Sequence, residues 1–231
     1  KKMKVLCIIP ARGGSKGIPK KNIIDVNGKP LIAYSIEPAI EAQKLGIIDK
    51  VIVSTDSEEI ANISLKYGAE IPFLRPSEIS GDKAKSVEFI MHALEYYKKQ
   101  GINYDTVLLL QPTSPLRTLN DLLASLNLYK EAENDSLISA YEEEYINDLV
   151  IYRMAEDGKT SIPVNHLHNK GVRRQEHGSL YVRNGCIYIS SAELIGKGYV
   201  IGETPLMYIM EKNKSVNVDT MEDLELLRKL L

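Results

Sequence analysis

Four cations and three glycines crowd one short stretch near the start of the chain: Arg12, Gly13, Gly14, Lys16, Gly17, Lys20 and Lys21. Glycine reaches φ > 0 and lets a ligand approach the backbone closely. Successive N–H groups in such a loop form an anion-binding concavity. With cations spaced through it, the stretch reads as a cradle for a polyphosphate. A second stretch, Gln111-Pro112-Thr113-Ser114-Pro115-Leu116-Arg117, offers an amide, two hydroxyls and a cation on a backbone stiffened by two prolines. Further along stand Arg173-Arg174-Gln175, whose guanidinium forks suit a carboxylate. Last comes Val216-Asn217-Val218-Asp219, where strand alternation would turn Asn217 and Asp219 to one side.

These residues need elements to position them. Val5 to Ile9 is a continuous apolar run, the pattern of a buried parallel strand, and the glycine loop follows it directly. Pro30 would open a helix at its first position, running to about Leu45. Lys50 to Ser54 reads as a strand, and Thr55-Asp56-Ser57 as the start of a helix with Glu58 and Glu59 in its first turn. Gly68 would end that helix. Glu70 to Phe73 reads as a short strand, Ser86 to Gln100 as a helix, and Thr106 to Leu110 as a strand. The second stretch would therefore also lie at the carboxyl end of a strand, where open α/β sheets hold ligands. Leu119 to Tyr129 is helical, with Thr118 as its cap, and Leu137 to Ala140 is a strand. This alternation predicts an α/β chain of three layers around a mainly parallel sheet.

The alternation stops after Tyr141. Residues 142–183 are polar, carry tyrosines and histidines, and show no period. An interruption of that length inside a compact domain is expected to be a protruding subdomain. Order returns at Gly185 to Ser190, Leu206 to Met210 and Val216 to Asp219, before a final helix with the capping box Thr220-x-x-Asp223.

Composition narrows the function. The chain has 231 residues, 44% hydrophobic and 26% charged, with a net charge of -2. That balance gives no reason to expect nucleic acid or an acidic membrane as partner. Cys7 and Cys186 each sit in apolar runs, as buried free thiols do in a reducing compartment. No apolar run approaches the ~20 residues of a membrane span, and Lys1-Lys2-Met3 leads into a strand, so a cytoplasmic protein is expected. The glycine loop is neither G-x-x-x-x-G-K-[ST] nor G-x-G-x-x-G, and Pro19 blocks the immediate helix that both require. No nucleophile-elbow spacing occurs, so a covalent intermediate is not indicated. His166-x-His168 lacks a third metal ligand in spacing, and His92 is expected to be partly buried and satisfied on a helix.

The form P-A-R-x-x-S-K-G followed by K-N, here Pro10 to Gly17 and Lys21-Asn22, resembles the acylneuraminate cytidylyltransferases, the CMP-sialic acid synthetases. So do Leu110-Gln111-Pro112-Thr113-Ser114-Pro115-Leu116-Arg117, the pair Arg174-Gln175, and Asn184-Gly185-Cys186-Ile187-Tyr188. The resemblance implies a Rossmann-like nucleotidyltransferase fold over 1–231, with 142–183 as an inserted dimerisation and sugar-site segment. It assigns Ala11, Arg12, Gly13, Gly14, Ser15, Lys16, Lys21 and Asn22 to the nucleotide phosphates, and Arg75, Ala84 and Ser86 to the base and ribose. Spacing alone leaves open an Arg75–Glu78 ion pair instead. Gln111, Arg173, Arg174, Gln175 and Tyr188 would meet the sugar. Asp219 and Asn217 would hold Mg²⁺, with a further role for Asp219 in deprotonating the attacking hydroxyl; Arg12 and Lys21 complete the catalytic set. The chain departs from the family pattern at Asn217, where an acid is usual, at Cys186, where alanine is usual, and at Glu176-His177-Gly178, where a proline commonly follows R-Q.

The expected reaction joins CTP and a nine-carbon 2-keto sugar acid into a CMP-sugar, releasing pyrophosphate, in a cytoplasmic homodimer. Two alternatives stand beside it. One is transfer to the eight-carbon acid 3-deoxy-manno-octulosonate. The other is a non-catalytic nucleotide binder, supported by Asn217.

Overall fold

The computed structural model describes residues 2–231. At its centre is a six-stranded sheet. In chain order its strands are β1 (Val5–Pro10), β4 (Lys50–Ser54), β5 (Thr106–Leu109), β6 (Ser136–Glu143), β9 (Leu180–Ser191) and β10 (Leu206–Ile209). Two short hairpins supply the others: β2 (Asp25–Val26) with β3 (Lys29–Pro30), and β7 (Tyr152–Met154) with β8 (Ser161–Pro163). The central order is β10-β6-β9-β5-β1-β4. All run parallel except β9, which lies antiparallel between β5 and β6.

Strand alternation divides the core into two layers. Val5, Cys7 and Ile9 face one side with Val51 and Val53, and are covered by α1 (Ala33–Lys44), α2 (Glu58–Lys66) and α4 (Leu119–Glu131). Leu6, Ile8 and Ile52 face the other, covered by α3 (Ser86–Lys98) and α6 (Ala192–Gly196). A smaller apolar cluster binds the end of the glycine loop to the end of the chain. Ile18, Val26 and Leu31 pack there against Val218, Leu224 and Leu227, the last two on α7 (Met221–Leu230). The short α5 (Arg174–His177) belongs to an arm that leaves the sheet between β6 and β9.

Helix boundaries follow their caps. Ser57 accepts from the Ile60 N–H, with Glu58 and Glu59 in the first turn of α2. Thr118 and Thr220 form capping boxes with Asp121 and Asp223. Three expected elements differ. Pro30 does not open a helix; Asn27 (φ 51) and Gly28 (φ 89) form a turn that pairs β2 with β3, and α1 starts at Ala33. The Glu70–Phe73 strand reduces to a single bridge between Ile52 and Glu70. Val216–Asp219 is extended but unpaired as a strand; its Val218 N–H donates to the Thr113 carbonyl and its Asp219 N–H to Asp223.

The register of β6 and β9 breaks between Ile138 and Ala140. Opposite this break, Asn184 and Gly185 (φ 74) bulge out of β9. Buried Ser139 stitches the bulge: its hydroxyl donates to Asn184 Oδ1 at 2.6 Å and accepts from the Ile187 N–H at 2.8 Å. Ser139→Ala should therefore strand a buried N–H and lower unfolding free energy by about 1–3 kcal/mol, read as a shifted urea midpoint at unchanged slope.

Candidate nucleotide and sugar site

The carboxyl ends of β1, β4 and β5 open onto a cavity of about 470 Å³. One wall is the glycine loop, with Arg12, Gly14, Ser15, Lys16, Lys21 and Asn22. The second is the segment after β4, with Arg75, Gly81, Asp82, Ala84, Ser86 and Phe89. The third is Gln111, Pro112 and Thr113 after β5, and Asp219 closes the rim.

The glycine loop is braced from behind. The Gly13 N–H donates to Asp56 at 2.7 Å and the Ala11 N–H to the Ser54 carbonyl at 2.9 Å. Neither Ala11 nor Gly13 lines the cavity. The motif puts both at the nucleotide; here their N–H groups support the loop itself, that of Ala11 from a buried position and that of Gly13 from an exposed one. The Lys21 N–H is likewise taken by Ser15 Oγ at 3.2 Å, and Asn22 donates to the Arg12 carbonyl at 3.1 Å. Lys20 turns away to pair with Glu59 at 3.0 Å. Gly14 and Ser15 line the cavity as well, so the anion-binding capacity of this wall rests on the loop together with the side chains of Arg12, Lys16 and Lys21.

Those three cations have carboxylate neighbours. Arg12 and Lys16 share Asp82, Lys16 at 2.8 Å. Lys21 lies 3.4 Å from Asp219. Gly17 (φ 85) presses the loop against the same corner; a Cβ there would sit 3.0 Å from the Asp219 carbonyl oxygen. Asp219 in turn accepts from Asn217 Nδ2 at 2.5 Å, so the two residues do share one side.

Arg75 is only 6% exposed, its Nε and Nη2 bound to the hydroxyl and carbonyl of Ser54 at 3.0 and 2.6 Å. Its guanidinium carbon stands 4.5 Å from the centre of the Phe89 ring. It makes no pair with Glu78 among the described residues. Burial lowers its pKa to about 10, against an opposing pull from Asp56, so it stays charged at neutral pH. The result is a flat, cationic and aromatic wall beside Ala84 and Ser86, a surface for a planar heterocycle.

Arg117 has a different role from the one its place in the motif implied. It is 3% exposed and lines no part of the cavity. Its guanidinium donates to the Ser114 carbonyl and, at 2.7 Å, to the Gln111 carbonyl. Both carbonyls precede prolines. Arg117 thus pins the turn that presents Gln111, while its Nε has no partner. Cys7 and Cys186 are buried and free; burial pushes their thiols up to about 12 and about 11, against a smaller opposing pull from Arg117. His92 differs from expectation: it stacks edge-on to Phe73 at 4.4 Å, but its Nδ1 has no partner.

The β9 bulge reaches the third wall. A Cβ on Gly185 would lie 3.4 Å from Gln111 Oε1 and 3.7 Å from the Tyr188 hydroxyl. Gln111 and Tyr188 are thus brought together. Arg173, Arg174 and Gln175 are not; they belong to the arm, where Arg174 and Gln175 line a separate cleft of about 350 Å³ with Glu142, Glu143 and Glu144.

The profile of the cytidylyltransferase family matches residues 6–231. The pseudaminic acid cytidylyltransferase of Campylobacter jejuni subsp. jejuni serotype O:23/36 (strain 81-176) is 38% identical over 224 residues, covering 96% of this chain and 94% of that protein. The N-acylneuraminate cytidylyltransferase of Escherichia coli O18:K1:H7 (strain RS218 / NMEC) is 34% identical over 227 residues, covering 96% of this chain and 51% of that longer protein. Among solved structures, that of CMP:2-keto-3-deoxy-manno-octonic acid synthetase complexed with CTP superposes with a TM-score of 0.70 at 16% identity, covering 98% of each chain. At that identity the likeness is one of fold.

Gly17→Ala tests the loop corner. The positive φ and the close Asp219 carbonyl predict a loss of about 1–2 kcal/mol in stability. They also predict weaker binding of inorganic pyrophosphate by calorimetry; unchanged binding would mean that the corner does not shape the site.

Proposed function

The chain belongs to the cytidylyltransferase family, and on that premise we propose that it joins CTP to a nine-carbon 2-keto sugar acid, giving the CMP-sugar and pyrophosphate. The observation that carries this reading is one cavity with three chemically distinct walls: the cations Arg12, Lys16 and Lys21, the flat Arg75–Phe89 surface, and Gln111 beside the bulge at Gly185. They suit a polyphosphate, a base and a polyhydroxylated acid in turn. The relatives at 34–38% identity are named for nine-carbon acids. The eight-carbon alternative has only the distant likeness of fold.

In the proposed reaction the C2 hydroxyl oxygen of the sugar attacks the α-phosphorus of CTP and gives its proton to the Asp219 carboxylate. The bond from that phosphorus to the oxygen bridging to the β-phosphate breaks, and pyrophosphate leaves. The protein contributes position and charge neutralisation. Arg12 and Lys16 hold the leaving phosphates. Lys21 stands where the glycine loop meets Asp219, beside the reacting centre. Gln111 orients the sugar on its turn.

The rim fits Mg²⁺. Asp219 offers one carboxylate and Asn217 one amide, while no group of three or more His, Cys, Asp or Glu gathers among the described residues. That is the donor set of an ion completed by phosphate oxygens and water rather than by an all-protein cage. Turning the Asn217 amide over would present its oxygen in place of its nitrogen. When bound, Mg²⁺ would neutralise charge on the triphosphate.

We also assign the arm to a homodimer. Tyr145, Ile146, Val150, Tyr152, Met154 and Ile162 are all exposed on it, an apolar concentration that marks an interaction surface. In that assembly, Arg173, Arg174 and Gln175 would serve the sugar site of the partner. The two buried free thiols favour a reducing compartment such as the cytoplasm. No helix among the described residues is long and apolar enough to cross a membrane.

Pyrophosphate release from CTP, Mg²⁺ and a panel of nine-carbon acids tests the activity, and binding of CTP without turnover on any of them would leave only a nucleotide binder. Asp219→Asn should lower kcat on the order of 100-fold, and Asn217→Asp should lower the Mg²⁺ concentration for half-maximal rate. If Asp219→Asn kept its rate and Mg²⁺ dependence, the metal would lie elsewhere. Sedimentation at micromolar concentration should give a dimer, and Tyr152→Arg with Met154→Arg should shift it to monomer; a fully active wild-type monomer would remove the arm from the site.

A further inference from the structure

Asp82 has no part in the reaction just described, yet it reaches from the second wall to two cations of the glycine loop. One of its oxygens accepts from Arg12 Nη1 and the other lies 2.8 Å from Lys16 Nζ. A single carboxylate thus bridges two cations, as a phosphate would. Hydrogen bonds from Lys16, then Arg12, hold its carboxyl below the usual carboxylate range.

The segment that carries Asp82 is fastened at its ends and loose between them. Ser80 Oγ donates to the Pro76 carbonyl at 2.7 Å, and the Lys85 N–H donates to Glu88 at 2.5 Å. Between these points the only backbone bond is from the Ala84 N–H to the Gly81 carbonyl, at 3.1 Å. Gly81, Asp82 and Lys83 are exposed. The same segment gives Ala84 and Ser86 to the base wall, so the Asp82 contact ties that wall to the glycine loop.

We propose that Asp82 is an internal competitor for the phosphate-binding cations, displaced when the outer phosphates of the nucleotide arrive and restored to Arg12 and Lys16 as pyrophosphate leaves. This rests on the reading of the cavity as a CTP site. The charges decide the order of preference. The β- and γ-phosphates together carry more negative charge than one carboxylate and displace it. A monophosphate that reaches neither cation does not. Exposed ion pairs are individually weak, so the exchange is readily reversed on each turnover. Asp82 would then discriminate by phosphate number and hasten release of the pyrophosphate.

The test is calorimetry of CTP, CMP and inorganic pyrophosphate on the wild-type protein and on Asp82→Asn, at fixed Mg²⁺ and ionic strength without sugar acid. The expected result is about fivefold tighter CTP and pyrophosphate in the variant, with CMP unchanged. Pyrophosphate should also become a stronger product inhibitor. In a Lys16→Ala background the gain from Asp82→Asn should shrink. Weaker CTP binding in Asp82→Asn would make Asp82 a ligand of the nucleotide or metal and overturn the proposal. Equal tightening of all three ligands would reduce it to a bulk charge effect and overturn it as well. A wild-type protein that binds pyrophosphate but no CTP would sink the functional reading, while the pyrophosphate arm would still decide whether Asp82 competes for Arg12 and Lys16.

Discussion

The corner where Lys21 meets Asp219 depends on the packing of Ile18, Val26 and Leu31 against Val218, Leu224 and Leu227. These residues come from opposite ends of the chain and bury one another. Their contact sets Lys21 beside Asp219 and brings Gly17 to the Asp219 backbone. No hydrogen-bonded strand pair does this, since Val216–Asp219 joins no sheet. A non-directional apolar contact joins the two ends, the Arg228 guanidinium and the Asn27 amide add hydrogen bonds between them, and one glycine without a Cβ lets them meet closely.

The other two walls are set by buried cations that face inward. Arg75 is spent largely on Ser54, and Arg117 on the carbonyls of Gln111 and Ser114. Burying a guanidinium is tolerated because its fork meets several acceptors at once. At Arg117 the acceptors are proline-preceding carbonyls in a tight turn, where the Gln111 carbonyl also accepts from the Ser114 N–H at 3.1 Å. The cost is visible at Arg117 Nε, which is left without a partner. The buried cations hold shape, while Lys16 is exposed and Arg12 and Lys21 are half-buried at the cavity.

Much of the fold was legible because its signals are local. The runs at Val5, Lys50 and Thr106 are apolar and bounded by turns, and Ser57, Thr118 and Thr220 mark helix starts by their own hydroxyls. Pro30 misled because it satisfies a helix start as well as a hairpin end; Asn27-Gly28 was the deciding signal. Glu70–Phe73 has strand composition but lies at the sheet edge, where one bridge forms. Within the site, the family motifs named Arg12, Lys21, Arg75, Gln111 and Asp219, and all five line one cavity. The type alone could not tell that the Gly13 N–H is consumed by Asp56, or that Arg117 points inward. Those facts depend on neighbours brought by tertiary packing. Asp82 stood in the same polar stretch as Arg75 and Ser86, but nothing in the sequence tied it to Arg12 and Lys16.

The strand order has a further consequence, for how the chain reaches this state. β6 touches neither β5 nor β1; its neighbours are β9 and β10, both later in the chain. The strip β4-β1-β5 can pair as soon as residue 109 is available. β6 must wait until β9 has arrived and slipped between it and β5. Loop-closure entropy and long sequence separation both slow such a step. Assembly of the sheet therefore divides at the arm. The wall carrying Gln111 gains its bulged neighbour only in the later phase, so the glycine-loop wall can take shape before the Gln111 wall is complete.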